Sequence, residues 1–147
     1  MLRAVFVLAL CSGGLAAADP QPKPVVVTDT ALVLRDPIYF ETGKAVIKQE
    51  SYPLLDAVAV TLTTDPKLAL IEIGVHTDER GADTWNREIS QKRADAIAAY
   101  LVSKRNIDAR RLRAVGYGES RPLDKHHDEK AWAKNRRTEF TILQRIT

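Results

Sequence analysis

Two carboxylates, Asp78 and Glu79, stand in a polar loop over residues 76–83, and Arg93 stands on the helix predicted to follow it. Taking Asn86 as zero and stepping about 100° per residue, Ile97 falls at about 20° and Leu101 at about 60°, with Tyr100 and Ile89 at about −40° and −60°. This arc is the side of the helix that should face a core. Asn86, Ser90 and Arg93 fall inside it, at about 0°, 40° and −20°. Arg87, Glu88, Gln91, Lys92 and Asp95 take the opposite side, toward solvent. An arginine turned toward a core is costly unless it is paired or hydrogen-bonded, and Asp78, directly after a predicted strand, is the partner the sequence offers. A charge pair at a strand's carboxyl end admits two readings. It can be a ligand site in a crevice, or an ion pair that ties the loop to the helix. The residue pattern alone leaves both open.

The other groups able to do chemistry argue against an enzyme. His76, His126 and His127 are the candidates for a metal or a general base, but the chain has no H-E-x-x-H pattern. His126-His127, beside Asp124 and Asp128, reads as a solvated turn without ligand spacing. The single cysteine, Cys11, rules out an internal disulfide and offers no thiol to the mature chain if the first residues are removed. No metal and no cofactor are expected. A formal charge of +3 over 147 residues is not the concentrated basic face of a nucleic-acid binder.

The elements that must hold these residues can be read from spacing. Residues 25–27 and 31–40 are rich in strand formers, with Ile38-Tyr39-Phe40 as the clearest strand end and Pro37 marking an edge or bulge. Residues 48–63 carry Leu54, Leu55, Val58 and Leu62 at helical spacing; Pro53 fits the first turn and Asp65-Pro66 ends the helix. Residues 68–75 read as a central strand with apolar side chains on both faces. A long helix spans 84–104, a third strand 112–117, a short helical turn 129–134, and a final strand 137–143. The order predicts an α/β (α+β sandwich) fold, βαβαββ, with helices packed on one mixed sheet.

His76-Thr77-Asp78-Glu79-Arg80-Gly81-Ala82-Asp83, followed by Asn86, Ser90 and Arg93-Ala94, resembles the signature of OmpA-like peptidoglycan-binding domains. Gly116-Tyr117-Gly118-Glu119 with Pro122 resembles the family's G-x-G-x-x-x-P element, Asn135-Arg136-Arg137-Thr138-Glu139 its closing N-R-R-V-E, and Tyr39-Phe40 the aromatic end of its first strand. The resemblance runs from about Pro37 to Leu143. It implies a ligand, the diaminopimelate of the peptidoglycan peptide stem, whose charged end is taken by an aspartate and an arginine matching Asp78 and Arg93. A free amino-acid end is a zwitterion, so Asp78 would accept from its ammonium and Arg93 would fork onto its carboxylate. Asn86 and Thr77 would satisfy remaining donors and acceptors, with Phe40 and Glu41 lining the pocket. Two positions depart from the pattern: Val75 stands where the family usually has glycine, and Trp85 near a position often held by tyrosine. Arg136 and Arg137 are expected to serve structure.

Residues 1–18, with Arg3, an apolar run from Ala4 to Leu10 and Ala16-Ala17-Ala18, read as a signal peptide. Lipidation of Cys11 is a minor alternative. Residues 19–30 read as a proline-containing leader with Pro20, Pro22 and Pro24, and 31–147 as the OmpA-like domain. The expected role is non-covalent binding of peptidoglycan stems in the periplasm, in association with the outer membrane, linking envelope to wall. The alternative is an envelope-complex subunit, partnered by outer-membrane or other envelope proteins, with a weak or lost wall site.

Overall fold

The computed structural model describes residues 21–147. The segment read as a signal peptide, with Cys11 in it, lies outside the described residues. The elements in chain order are β1 (Val25–Val27), β2 (Ala31–Leu34), α1 (Tyr52–Thr64), β3 (Leu68–His76), α2 (Asp83–Arg105), β4 (Leu112–Gly118), α3 (Glu129–Asn135) and β5 (Arg137–Arg145). The strands form one sheet in the order β1-β2-β5-β3-β4. Only β3 and β4 run parallel; the other pairs are antiparallel. This is the expected α/β fold, with helices packed on one mixed sheet.

Alternation along β3 divides the sheet into two faces. Ile71, Ile73 and Val75 are buried in one core with Leu55, Val58 and Leu62 of α1, Ala94, Ile97 and Leu101 of α2, and Phe140 of β5. Burying side chains of this size stabilises by about 1.5–3 kcal/mol each relative to exposure. The other face carries Glu72, Gly74 and His76, over which Tyr117 lies. An added Cβ at Gly74 would come 3.1 Å from the Tyr117 ring, and His76 stacks on that ring at 5.0 Å and 14°. The strand is therefore central and buried on both sides, but the second side is covered by an aromatic stack.

Helix α2 sits against the edge strand β4 at backbone distance. A Cβ on Gly116 would lie 2.1 Å from the Gln91 amide nitrogen. Gln91 also donates to Ala114 O at 3.1 Å and accepts from Gly116 N–H at 2.8 Å. Its amide thus occupies edge groups that would otherwise template pairing with another strand. The expectation that Gln91 faces solvent is corrected by this contact.

Two further expectations change. Residues 38–40 are not a sheet strand. Phe40 makes an isolated antiparallel bridge to Ile47, Glu41 N–H donates to Val46 O and Lys48 N–H to Tyr39 O, and Gly43 turns the chain at φ +66°. Pro37 supplies no N–H for a ladder, and Tyr39 N–H donates instead to Ser51 Oγ at 2.7 Å. The leader is also shorter than residues 19–30, because Val25–Val27 pair with β2 and Val25 is buried in the core.

Candidate functional site

A cleft of about 580 Å³ opens between the 37–43 segment, the core-side flank of α2, and the junction of α3 with β5. Its wall includes Tyr39, Phe40, Arg80, Arg93, Arg136 and Arg137. Four guanidinium groups lining one cleft make it a place for an anion unless each charge is already matched.

Arg93 is the unmatched one. Its Nε donates to Lys44 O at 2.9 Å, a second nitrogen reaches Glu41 O at 3.5 Å, and its Cζ lies 5.0 Å from the centre of the Phe40 ring. Backbone carbonyls and an aromatic face hold the group in place without neutralising it. Among the described residues no carboxylate lies within 4.0 Å of it. Burial lowers its pKa, as expected where the charged form is partly desolvated.

Asp78 is placed by the end of β3. Its side chain is only 8% exposed. Oδ1 accepts from the Arg80 backbone N–H at 3.0 Å and from Arg80 Nε at 3.1 Å. Oδ2 accepts from Arg80 Nη2 at 2.7 Å and Arg136 Nη1 at 2.8 Å. Burial alone would raise its pKa, but the hydrogen bonds from Arg80 and Arg136 prevail and hold it at about 2. The expected direct Asp78–Arg93 ion pair is therefore not formed. Arg93 is anchored across the cleft on the 41–44 turn, and Asp78 is engaged by two other arginines.

The remaining expected residues take distinct places. Phe40 is on the cleft wall beneath Arg93. Asn86 is buried, and its Nδ2 lies within reach of Asp78 O at 3.2 Å, Arg80 O at 3.1 Å and Glu119 Oε2 at 2.9 Å. It fixes the backbone of the Asp78 loop. Thr77 N–H donates to Gly118 O at 2.9 Å, while its buried hydroxyl has no partner. Glu41 turns its carboxylate to Lys44 at 2.9 Å and presents its carbonyl to Arg93. Asp78, Thr77, Asn86 and Glu41 thus stand behind the cleft wall. Ser90, buried on the same flank of α2, donates to Arg87 O and accepts from Gly118 N–H, both at 2.9 Å. Trp85 is half-exposed and off the cleft wall.

Three residues make contacts at the site that the sequence did not specify. Arg136 is the second anchor of Asp78, and its Nη2 also donates to Glu129 Oε1 at 2.7 Å. Arg80 forks onto Asp78 from two residues away and stacks over Trp132 at 4.5 Å. Asn135 holds the 119–128 loop: its Oδ1 accepts from Leu123 and Asp124 N–H, and its Nδ2 donates to Asp124 O. A buried carboxylate requires cations beyond its own loop, and the Asn-Arg-Arg run was the signal available. The histidine pair is spoken for: His126 lies 2.6 Å from Asp124 and His127 lies 2.5 Å from Glu79, which also accepts from Trp132 Nε1. Among the described residues no group of three His, Cys, Asp or Glu side chains could hold a metal ion.

A sequence profile described as the OmpA family matches residues 39–136. The peptidoglycan-associated lipoprotein of Haemophilus influenzae is 38% identical over 125 residues, covering 85% of this chain and 73% of that protein. Outer membrane protein A of Bordetella avium is 32% identical, covering 90% of this chain and 67% of its own length. Across these and two other peptidoglycan-associated lipoproteins the chain spans 59% to 73% of the relative's length. Among solved structures, the peptidoglycan-associated lipoprotein of Burkholderia pseudomallei superposes with a TM-score of 0.63 at 33% identity, covering 71% of this chain and 86% of that one.

Proposed function

The chain belongs to the OmpA family, and on that premise we propose that the cleft binds the peptide stem of peptidoglycan through the free amino-acid end of diaminopimelate. The domain is a binding module, not an enzyme. The observation that carries the reading is Arg93: a half-buried guanidinium, held rigid by Lys44 O and Phe40 and unpaired with any described carboxylate, on the wall of an open cleft. Such a group is pre-organised for the two-pronged contact that a carboxylate makes.

The ligand's ammonium then belongs on the Asp78 side, where the negative charge lies, and Phe40 offers an apolar surface to the aliphatic carbons between. Asn86 and Thr77 hold the Asp78 loop in position, and Glu41 holds the turn that anchors Arg93. One charge pair with limited desolvation gives micromolar to millimolar affinity by order of magnitude. Firm attachment to the wall then comes from many copies or from a membrane tether. Names of relatives such as the Haemophilus lipoprotein and the Bordetella outer membrane protein favour a periplasmic site of action at the outer membrane, with peptidoglycan as the partner.

The test is co-sedimentation with purified sacculi. The parent protein should pellet with sacculi and release no soluble fragments, while Arg93→Ala and Asp78→Ala should stay in the supernatant. Pelleting of both variants at the parent's level would remove the assignment.

A further inference from the structure

Asp78 is already full. A carboxylate offers about four acceptor positions, and the Arg80 amide, Arg80 Nε, Arg80 Nη2 and Arg136 Nη1 occupy them. A ligand ammonium reaches this group only by displacing a partner. Arg136 is fastened at a second point, on Glu129 at 2.7 Å. Arg80 is the replaceable one. Its side chain is 53% exposed, it belongs to the loop itself, and its other contacts are the face of Trp132 and a 4.0 Å approach to Glu129.

We propose that Arg80 is a specificity-determining residue: its guanidinium occupies the cation position of Asp78 in the free protein and admits only ligands that bring a carboxylate together with an ammonium. This rests on the wall-binding reading above. A ligand offering an ammonium alone exchanges one cation for another on Asp78 and gains little. A ligand offering both charges adds a contact to Arg93 and leaves an anion near the displaced Arg80 to receive it. A lysine-ending stem differs from a diaminopimelate-ending stem by that one carboxylate. Arg80 therefore separates the two more sharply than Arg93 alone would, because only the diaminopimelate stem recovers the cost of displacing it through that carboxylate. Selectivity here comes from an element that disfavours the wrong ligand as well as one that favours the right one.

The experiment is calorimetric or NMR titration of the whole protein with two synthetic tripeptides, alanyl-γ-glutamyl-diaminopimelate and alanyl-γ-glutamyl-lysine. Parent, Arg80→Ala and Arg80→Gln are compared, the second variant keeping polarity and length without charge. The parent should prefer the diaminopimelate peptide. Both variants should bind the lysine peptide about five-fold more tightly than the parent does, the worth of one partly exposed charge contact, so that the preference narrows. Unchanged lysine affinity, equal tightening of both peptides, or weaker binding of both would overturn the role of Arg80 while leaving the wall-binding reading standing. A parent that binds neither peptide strikes the wall-binding reading itself, and this inference with it.

Discussion

Arg136 Nη1 donates to Asp78 Oδ2 at 2.8 Å, joining the start of the last strand to the loop after the central one. The two residues are 58 positions apart in the chain, so this contact exists only once the sheet has closed. Arg136→Ala leaves a nearly buried carboxylate with Arg80 as its sole side-chain partner. The expected cost is about 1–2 kcal/mol, read as a lower urea midpoint with an unchanged slope. Arg136→Lys restores the charge but not the double contact to Asp78 and Glu129, and should recover only part of the loss.

The same carboxylate gives the fold an acid limit. Asp78 is held at about 2 against an ordinary 3.8. A carboxyl whose folded pKa is depressed contributes stability that is present above its unfolded pKa and lost as pH falls through the folded value. The parent should therefore exceed Asp78→Asn by about 2 kcal/mol near neutral pH. That gap should begin to close below about pH 5 and be gone only below about pH 2, as followed by thermal melts across that range.

His76 adds a second loss of stability toward acid, in a higher pH window. Burial, then the charge of Arg137, lowers its pKa to about 4 despite Glu139, whose Oε2 lies 3.5 Å from Nε2 without a hydrogen bond. The folded state keeps the ring neutral where the unfolded chain, titrating near 6.5, takes up a proton. Stability should then fall as pH drops from about 6.5 to about 4 and level off below, by at most about 3 kcal/mol. His76→Phe keeps an aromatic ring for the Tyr117 stack and should flatten that part of the curve.

Gly116→Ala tests the close approach of α2 to β4. The added methyl would meet the Gln91 amide nitrogen at 2.1 Å, with Gln91 Cα and Ser90 C also within 2.6 Å. These are backbone atoms that cannot step aside singly, so the helix must lift from the strand. A loss of roughly 3 kcal/mol or more is expected, visible as a lower melting temperature and poor soluble yield. Gln91→Ala should cost less, about 1 kcal/mol, because the edge groups of Ala114 and Gly116 can turn to water.

Periodicity carried the helices, because α1 and α2 bury one face each and Leu55, Val58, Ile97 and Leu101 mark it. The same reckoning placed Asn86 and Ser90 correctly on the inward side, where both are buried. It also turned Arg93 toward the sheet, but angle on a wheel does not say how far a long side chain reaches. Arg93 extends sideways to the 40–44 turn, and the direct contact with Asp78 was not legible. The contacts of Arg80 and Arg136 with Asp78 were not legible either. One is a fork between residues two apart, which depends on loop backbone; the other depends on which strand lies beside β3. Residues 38–40 have the side chains of a strand, yet pair with 46–48, because Pro37 and the turn at Gly43 override propensity.

The most direct measurement is an NMR titration of the parent with the diaminopimelate-ending tripeptide, following backbone amides and the arginine Nε–H resonances together. Saturable shifts are expected in Phe40, the 41–44 turn, Asp78 and the Nε–H groups of Arg93 and Arg80, with the remote end of the sheet at β1 unmoved. Shifts centred elsewhere, or an Arg93 Nε–H that stays fixed at saturation, would contradict it.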